Sequence, residues 1–511
     1  MGSRFLRRVF SFPVMLAGLL IVLAVLSVRS RFVDPDMWWH LKTGEIIWTT
    51  HTIPLSDVFS YTTNHHSLIP QEWLSQVSIY GAYKLGGYSG LMLWLCLLSS
   101  AVFIAGYLLC ALYSGNAKVA LVGAMVIWFF STIGLAIRPQ MIGYLLLILE
   151  MLVIHLGRSR SPRWFLVLPL VFLVWINCHG SFMLGIVLAA IMLLSSYFDF
   201  RMGSLVAHSW DPSRRRMFIV SLGLSLVALF LNPVGMKQIL YPFDTMLNMH
   251  ILMGNVEEWA PLTLNDPRGM VLLAIVVGSL LLVILGQSEM FLDELLLLGF
   301  GTWLGFSHVR MLVVFGILAA PILSRQLAMF WDQYKIEEDR IWPNLVMITL
   351  ALVVATLAFP SRDNLERQVA EHTPARAVEF IKANHLSGPM LNEYGFGGYL
   401  IWAAPELPVM IDGRTDLYEW SGFLGEFGNW ATLQSDPRTL LEKYHVNFCL
   451  LTNQSPMVHV LPLLHEWRLV YSDGNAVIFV RSSIVGPPKS EMRNDTSQGL
   501  AALRLSGLLS P

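Results

Sequence analysis

Charge is scarce in this sequence. Charged residues make up 14 % of its 511 positions, against about 25 % in an ordinary soluble domain, which excludes a soluble enzyme. Neither sign is in excess: 34 Lys and Arg face 35 Asp and Glu, for a net charge of -1. With no basic surplus to neutralise phosphates, a nucleic-acid partner is excluded too. Cysteine is scarcer still. Four in the whole chain do not make a disulfide framework, and Cys96 and Cys110 fall inside an apolar run, where they read as small core residues. The sequence has no Gly-x-Ser-x-Gly elbow and no His-Glu-x-x-His pair, which disfavours the common hydrolases. It also lacks low-complexity tracts and repeats of the 20–50-residue kind.

What the chain has instead is long apolar runs. Hydrophobic residues make up 55 % and the mean hydropathy is +0.57. A membrane-spanning helix needs roughly 20 mainly apolar residues. Such runs lie near 10–28, 89–113, 119–135, 140–157, 163–177, 180–198, 216–232, 269–286, 291–306, 310–327 and 342–359. They predict a polytopic α-helical membrane protein of about 11 spans, in which the short run at 163–177 can merge with the next. The first run reads as a retained anchor rather than a cleaved signal, because its apolar stretch is long and no small-x-small site follows.

Basic residues fall in alternate loops. Arg4, Arg7 and Arg8 precede the first span; Lys118 follows the second; Arg158, Arg160 and Arg163 follow the fourth; Arg201, Arg214, Arg215 and Arg216 follow the sixth. The positive-inside rule puts these on the cytoplasmic side. The loops 29–88 and 233–268, and everything after 360, are then outside. After Pro360 charge returns. The stretch 375–386 reads as an amphipathic helix, and 389–392, 408–411, 447–451 and 476–480 read as short strands. The expected organisation is a membrane domain over 1–359, a small extracytoplasmic α/β domain over 360–485 and a loose tail over 486–511.

The first outer loop is the most informative segment. Asp34-Pro35-Asp36-Met37-Trp38-Trp39-His40 sets two carboxylates at the membrane surface, where they need a partner. The pair reads either as a turn or as a site that binds a divalent cation (Mg²⁺ or Mn²⁺) or acts as a general base. The paired tryptophans fit an interfacial belt. Asp57, the His65-His66 pair and Glu72 follow, with a surface helix expected over 70–84 that sets Trp73, Val77 and Tyr80 on one face. Later polar clusters are Arg138-Pro139-Gln140, Asn177-Cys178-His179-Gly180, Asn232-Pro233, Glu257-Glu258-Trp259 and His308-Val309-Arg310. All fall on the outer side, which points to one polar cavity. Arg138 and Arg310 suit a phosphate or pyrophosphate, or else pair with Glu257 or Glu258 or snorkel to the surface.

The acidic segment after the first span, the many spans and the outer C-terminal domain resemble the GT-C superfamily of integral-membrane glycosyltransferases. Asp34-Pro35-x-x-x-x-His40 is similar to the first-loop Asp-Pro-x-x-x-Tyr-Arg motif of the oligosaccharyltransferase catalytic subunit. The resemblance implies that Asp34 or Asp36 binds the metal or acts on the acceptor. Asn392-Glu393-Tyr394-Gly395, followed by Asp412-Gly413-Arg414, resembles the surroundings of the Trp-Trp-Asp-Tyr-Gly motif, but only Tyr394 and Gly395 match, so sequon recognition does not carry over. Asp412 and Arg414 read either as a strand-end site or as a structural turn with an ion pair. Gly395, Gly397 and Gly398 allow a tight turn or a close backbone approach.

These observations make a glycosyltransferase the leading expectation. Asp34 and Asp36 would be its catalytic and metal-binding residues, and Arg138 and Arg310 would bind the donor phosphate. His40, Asp57, Glu72, His179, Tyr394, Asp412 and Arg414 are the substrate-binding candidates. The partners implied are a polyprenyl-linked sugar donor, the lipid bilayer and a glycan, lipid or protein acceptor. A transporter or flippase for lipid-linked glycans, or a non-catalytic assembly protein, are the alternatives.

Overall fold

The computed structural model of the chain describes residues 2–63, 66–248, 257–332, 334–335 and 339–482. The expected tail and His65 lie outside the described residues. The chain divides into two compact units, one of residues 1–55 and 67–368, the other of residues 56–66 and 369–511. The tip of the first loop thus belongs to the second unit rather than to the one that precedes and follows it in sequence.

The first unit is helical. Every apolar run of the sequence folds as a helix, and among the described residues six helices are long and apolar enough to cross a membrane: Leu6–Val28, Trp73–Ser114, Gln140–Ser159, Pro267–Ile284, Val309–Phe330 and Ile341–Ala358. Shorter apolar helices are Ala117–Ser131, Pro162–Cys178 and Phe182–Ser195. The chain is a multi-pass membrane protein. The run at 163–177 does not merge with the next: it opens as a 3-10 turn over Pro162–Val167, and His179–Ser181 separate its helix from Phe182–Ser195.

The helix Trp73–Ser114 is broken at Gly86 and Gly87, where Gly87 adopts φ +58° and ψ -138°. Only glycine enters that region without strain. The break separates a surface segment from a span. The surface segment buries Ser75, Gln76 and Ile79, a face rotated from the expected Trp73, Val77 and Tyr80. The cause is its neighbour, the helix Met37–Thr50. A Cβ on Gly44 of that helix would lie 2.2 Å from the carbonyl oxygen of Gln76, so the two helices meet with no side chain between them.

At the other end of the unit, Arg325 pairs with Glu294 at 2.5 Å and Arg158 with Asp293. A small sheet stands there, with β1 (Phe200–Met202) antiparallel to β2 (Leu205–Ala207), and β2 parallel to β3 (Met290–Phe291).

The second unit is built on a four-stranded sheet. β4 (Met390–Asn392) runs parallel to β5 (Phe448–Thr452), β5 antiparallel to β7 (Ala476–Arg481), and β7 antiparallel to β6 (Trp467–Ser472). Leu391, Tyr418, Phe427, Trp430, Cys449 and Phe479 fill its core. The stretch 408–411 is not a strand: it forms only one isolated bridge, Val409 with Ser60. A side chain takes the place of a neighbouring strand. Asn392 Oδ1 accepts from Met410 N at 2.8 Å and its Nδ2 donates to Ile411 O at 2.7 Å. All four cysteines are buried and unpaired.

Candidate active site

Two separate groups of charged side chains include most of the residues singled out in the sequence. The first lies in the helical unit. Pro35 turns the chain after Asp34, and the Asp36 N–H donates to Asp34 Oδ1 at 2.9 Å, which closes an Asx turn. The helix Met37–Thr50 starts directly after it. The two tryptophans do not form a lipid-facing belt. They point about 100° apart around the helix: Trp38 is buried, edge-on to Tyr88, while Trp39 lies tilted against His40 and donates from Nε1 to Asp36 Oδ1 at 3.3 Å.

Arg138 stands at the start of the helix Gln140–Ser159 and grips three carboxylates. Its Nε donates to Asp34 Oδ1 at 2.8 Å, its Nη2 lies 3.2 Å from Asp36 Oδ2, and its Nη1 lies 3.1 Å from Glu258 Oε1. Burial pushes the Asp36 carboxyl up to about 6, against the opposing pull of Arg138. A carboxylate poised there can take a proton near neutral pH.

The place a divalent cation would hold between Asp34 and Asp36 is filled by this guanidinium. Among the described residues no group of three or more His, Cys, Asp or Glu is arranged as a metal-ligand set. The positive charge expected from a metal is supplied by Arg138, so the present arrangement does not fit a bound cation.

Arg310 behaves differently. It sits in the 3-10 turn Val309–Met311 with its guanidinium 4.5 Å from the Trp259 ring centroid, and among the described residues its one hydrogen bond, to Gln140 Oε1, is long at 3.5 Å. Among the described residues it has no carboxylate partner within 4.0 Å. His308 Nδ1 lies 2.8 Å from the Trp259 carbonyl and orders the turn. Arg310 is therefore the cation with donors to offer an incoming anion, and Arg138 is held by acids already in place.

Glu72, His40 and His179 complete this group. Glu72 stands at the N-cap position of the helix Trp73–Ser114, and its side chain makes no capping bond. Its Oε2 lies 3.8 Å from His40 Nδ1 and its Oε1 lies 3.7 Å from His179 Nε2. Burial, reinforced by nearby Arg138, drives the His40 imidazole well below its usual range, and burial with Arg310 brings His179 down to about 3. Both rings are neutral at physiological pH. Asn177 and Asn232 make no ion pair in the group: the Asn177 amide ties its own helix to Trp73 and to the Leu231 carbonyl, and the Asn232 amide closes a local turn.

The second group lies in the other unit and is closed. Asp57 and Asp412 are fully buried and Arg414 is 7 % exposed. Arg414 donates to Asp412 Oδ1 at 2.8 Å and Oδ2 at 2.6 Å, and to Asp57 Oδ1 at 2.6 Å. Tyr418 OH donates to Asp412 Oδ2 at 2.7 Å, and the Ser60 and Thr63 hydroxyls donate to Asp57. Asp57, Asp412 and Arg414, expected to bind substrate, instead satisfy one another, as in the alternative reading of a turn with an ion pair. Tyr394 OH lies 2.6 Å from Thr415 Oγ1. A Cβ on Gly397 would lie 2.1 Å from the Ile411 carbonyl, so this glycine serves close packing.

Sequence reasoning missed two contributors: Ser181 holds His179 and Gln76 holds His40. The clue for Ser181 was its place two residues after a histidine in a loop between apolar helices; Gln76 had no local signal. Trp259, named in the sequence as part of the Glu257-Glu258-Trp259 cluster, carries Arg310.

The fold is similar to that of the GT-C integral-membrane glycosyltransferases. Among solved structures, the chain is similar to the oligosaccharyltransferase of Archaeoglobus fulgidus tethered to an acceptor peptide containing the NVT sequon, with 12 % identity and TM-score 0.52 over 93 % of this chain and 75 % of that one. It is similar to ArnT from Cupriavidus metallidurans bound to undecaprenyl phosphate, with 14 % identity and TM-score 0.52 over 92 % of this chain and 98 % of that one. A structure of the Archaeoglobus enzyme AglB with an inhibitory peptide and a dolichol-phosphate gives 11 % identity and TM-score 0.50 over 93 % and 75 %. No family model matches the chain, and no curated protein matches it in sequence. At such identities the likeness is one of fold, and activity has to be argued from the site.

Proposed function

We propose that this protein is a glycosyltransferase that moves a sugar from a polyprenyl-phosphate or polyprenyl-pyrophosphate donor to an acceptor on the outer face of the cytoplasmic membrane. About 11 spans, a cytoplasmic N-terminus and an extracytoplasmic C-terminal domain complete the reading, supported by the alternation of basic loops. The observation that carries it is the pairing of opposites in one partly open cluster. Arg310 has donors to offer and reaches Gln140, two positions along from Arg138, which holds an acid pair with one member poised near neutrality.

A second observation supports a lipid-borne donor. An apolar groove of about 470 Å³ runs between the helices Pro267–Ile284 and Leu292–Ser307, lined by Val276, Leu280, Leu298, Trp303 and Phe306. It reaches Ser307, three residues before Arg310. A prenyl chain lying there would bring its phosphate to that arginine. The neighbours in fold include structures bound to undecaprenyl phosphate and to a dolichol-phosphate.

The reaction follows from these parts. The acceptor hydroxyl gives its proton to the Asp36 carboxylate as its oxygen bonds to the anomeric carbon. The bond from that carbon to the phosphate oxygen breaks, and its electron pair leaves on the phosphate. Arg310 faces the charge that grows there, and a cation preset at that position favours the transition state over the ground state. Arg138 holds Asp34 and Asp36 in place, and Asp34 fixes the Asp36 backbone.

The test uses the full chain in nanodiscs with a panel of polyprenyl-phosphate sugars, with and without Mg²⁺ or Mn²⁺, beside an Asp34→Asn/Asp36→Asn double variant. Release of polyprenyl phosphate that the double variant lacks supports the assignment. Normal turnover in the double variant removes the site. Donor binding without release by either protein moves the reading to a transporter or an assembly protein.

A further inference from the structure

The loop that carries His179 is pinned to the first turn of the helix Trp73–Ser114. Trp73 Nε1 donates to Asn177 Oδ1 at 2.7 Å, and Ser75 Oγ donates to the Cys178 carbonyl at 2.8 Å. A Cβ on Gly180 would lie 2.6 Å from Gln71 Oε1, so the loop approaches this turn with no side chain to spare. These contacts set His179 Nε2 3.7 Å from Glu72 Oε1.

The loop also decides where the imidazole carries its proton. The Ser181 backbone N–H donates to His179 Nδ1 at 3.1 Å. Trp175 Nε1 donates to Ser181 Oγ at 3.0 Å, and that hydroxyl lies 2.8 Å from the same Nδ1. An amide N–H and an indole N–H only donate. Nδ1 is therefore an acceptor, the Ser181 hydroxyl proton points at it, and the ring proton sits on Nε2. Burial and Arg310 keep the ring neutral. His179 thus gives a hydrogen bond from Nε2 and cannot take a proton there.

Opposite it stands the Glu72 carboxylate, which accepts when ionised. A donor and an acceptor at this spacing can both reach one hydroxyl oxygen set beside the line that joins them, which accepts from the imidazole and donates to the carboxylate at about 2.8 Å each. A phosphate oxygen has no proton to give and would meet Glu72 as a like charge. Both side chains are partly reachable, at 18 % and 16 % exposure.

We propose that Glu72 and His179 form a specificity pair that reads one hydroxyl of the sugar ring, with Ser181 as the positioning residue that fixes the imidazole tautomer. This rests on the glycosyltransferase reading above and adds the chemical feature by which one sugar is chosen. With the phosphate at Arg310, whose charge reaches His179, a ring hydroxyl a few bonds from the anomeric carbon falls within reach of the pair.

The experiment is equilibrium binding to the full chain in nanodiscs. The probes are undecaprenyl-phosphate glucose, mannose and galactose, the 2-, 3-, 4- and 6-deoxy forms of whichever binds tightest, and undecaprenyl phosphate alone. The expected result is that one deoxy form binds the parent protein at least about tenfold more weakly, the scale of one lost hydroxyl contact to a polar site. Glu72→Ala and His179→Ala should bind that deoxy form and its parent sugar equally. His179→Gln, which can place an amide N–H near Nε2, should restore part of the discrimination. In ¹⁵N spectra, Ser181→Ala, which keeps the backbone bond to Nδ1 and loses the hydroxyl one, should weaken the Nε2–H preference of His179.

Retained binding of undecaprenyl phosphate alone shows that each variant is folded. Equal binding of all deoxy forms by the parent protein overturns the proposal, as does a variant that weakens sugar and deoxy sugar alike. Discrimination without release of undecaprenyl phosphate leaves the pair standing and fails the transferase reading; release without discrimination does the reverse.

Discussion

Arg414 and Arg138 each hold aspartates, yet their surroundings differ. Around Arg414, Asp57 and Asp412 are fully buried, the hydroxyls of Ser60 and Thr63 serve the Asp57 oxygen that the guanidinium leaves, and Tyr418 adds a second donor to Asp412 Oδ2. Around Arg138 the acids outnumber the base three to one, and Glu258 is 43 % exposed. The closed cluster has no capacity for a ligand and contributes to the fold of its unit. The open one carries surplus acid, a poised carboxyl and a second arginine with donors to offer. Charged residues therefore mark a site only where their hydrogen bonding is incomplete.

The sharpest way to break this contrast is to remove each arginine. Arg414→Met should strand two buried carboxylates and cost about 3–5 kcal/mol, read as a large loss of thermal stability. Arg310→Ala should leave thermal stability nearly unchanged and lower turnover about 100-fold, as for loss of one preset group facing transition-state charge. If the Arg310 variant melts early or the Arg414 variant does not, the two clusters have been assigned the wrong way round.

A pH series sharpens the comparison. Burial raises the Asp36 carboxyl to about 6, so the ionised form needed as a base is lost below that value. Turnover should fall about tenfold per pH unit below 6. Stability moves the other way for this group: a raised carboxyl favours the fold fully below the unfolded value of 3.8 and loses that contribution as pH rises through about 6. Asp57 has the opposite sign. Burial would raise it, but Arg414 and Ser60 hold it below its usual range, so its contribution is present at neutral pH and is lost on acidification. An acid limb of turnover that follows an ordinary carboxylate would remove Asp36 as the base.

The smallest effect concerns metal. Arg138 already neutralises the first-loop acids, so chelation with EDTA should change turnover by less than about twofold, whereas a bound catalytic cation would make activity depend on it. Strict dependence on Mg²⁺ or Mn²⁺ would mean that Arg138 yields Asp34 and Asp36 to the cation during the reaction.

Much of the fold was legible because hydropathy is a local property. Each apolar run became a helix, and the strands at 390–392, 448–452 and 476–481 were visible as short apolar segments. Where local pattern competed with a distant partner, the partner won. Val409–Ile411 reads as a strand, yet the Asn392 side chain holds its backbone. Trp38 and Trp39 read as a belt, yet one fills the core and the other reaches Asp36.

The sequence by itself determined that this chain lives in a membrane, that its polar residues gather at particular helix ends, and which acids and arginines were worth attention. Only the tertiary structure decided which of them are engaged with one another. Arg138 meets Asp34 across 104 positions and Arg414 meets Asp57 across 357. Such pairings depend on how helices and loops pack, and neither composition nor periodicity encodes them. The same holds for the difference between Arg138 and Arg310: both are arginines at the ends of apolar helices, and only packing placed three carboxylates around one and an indole beside the other.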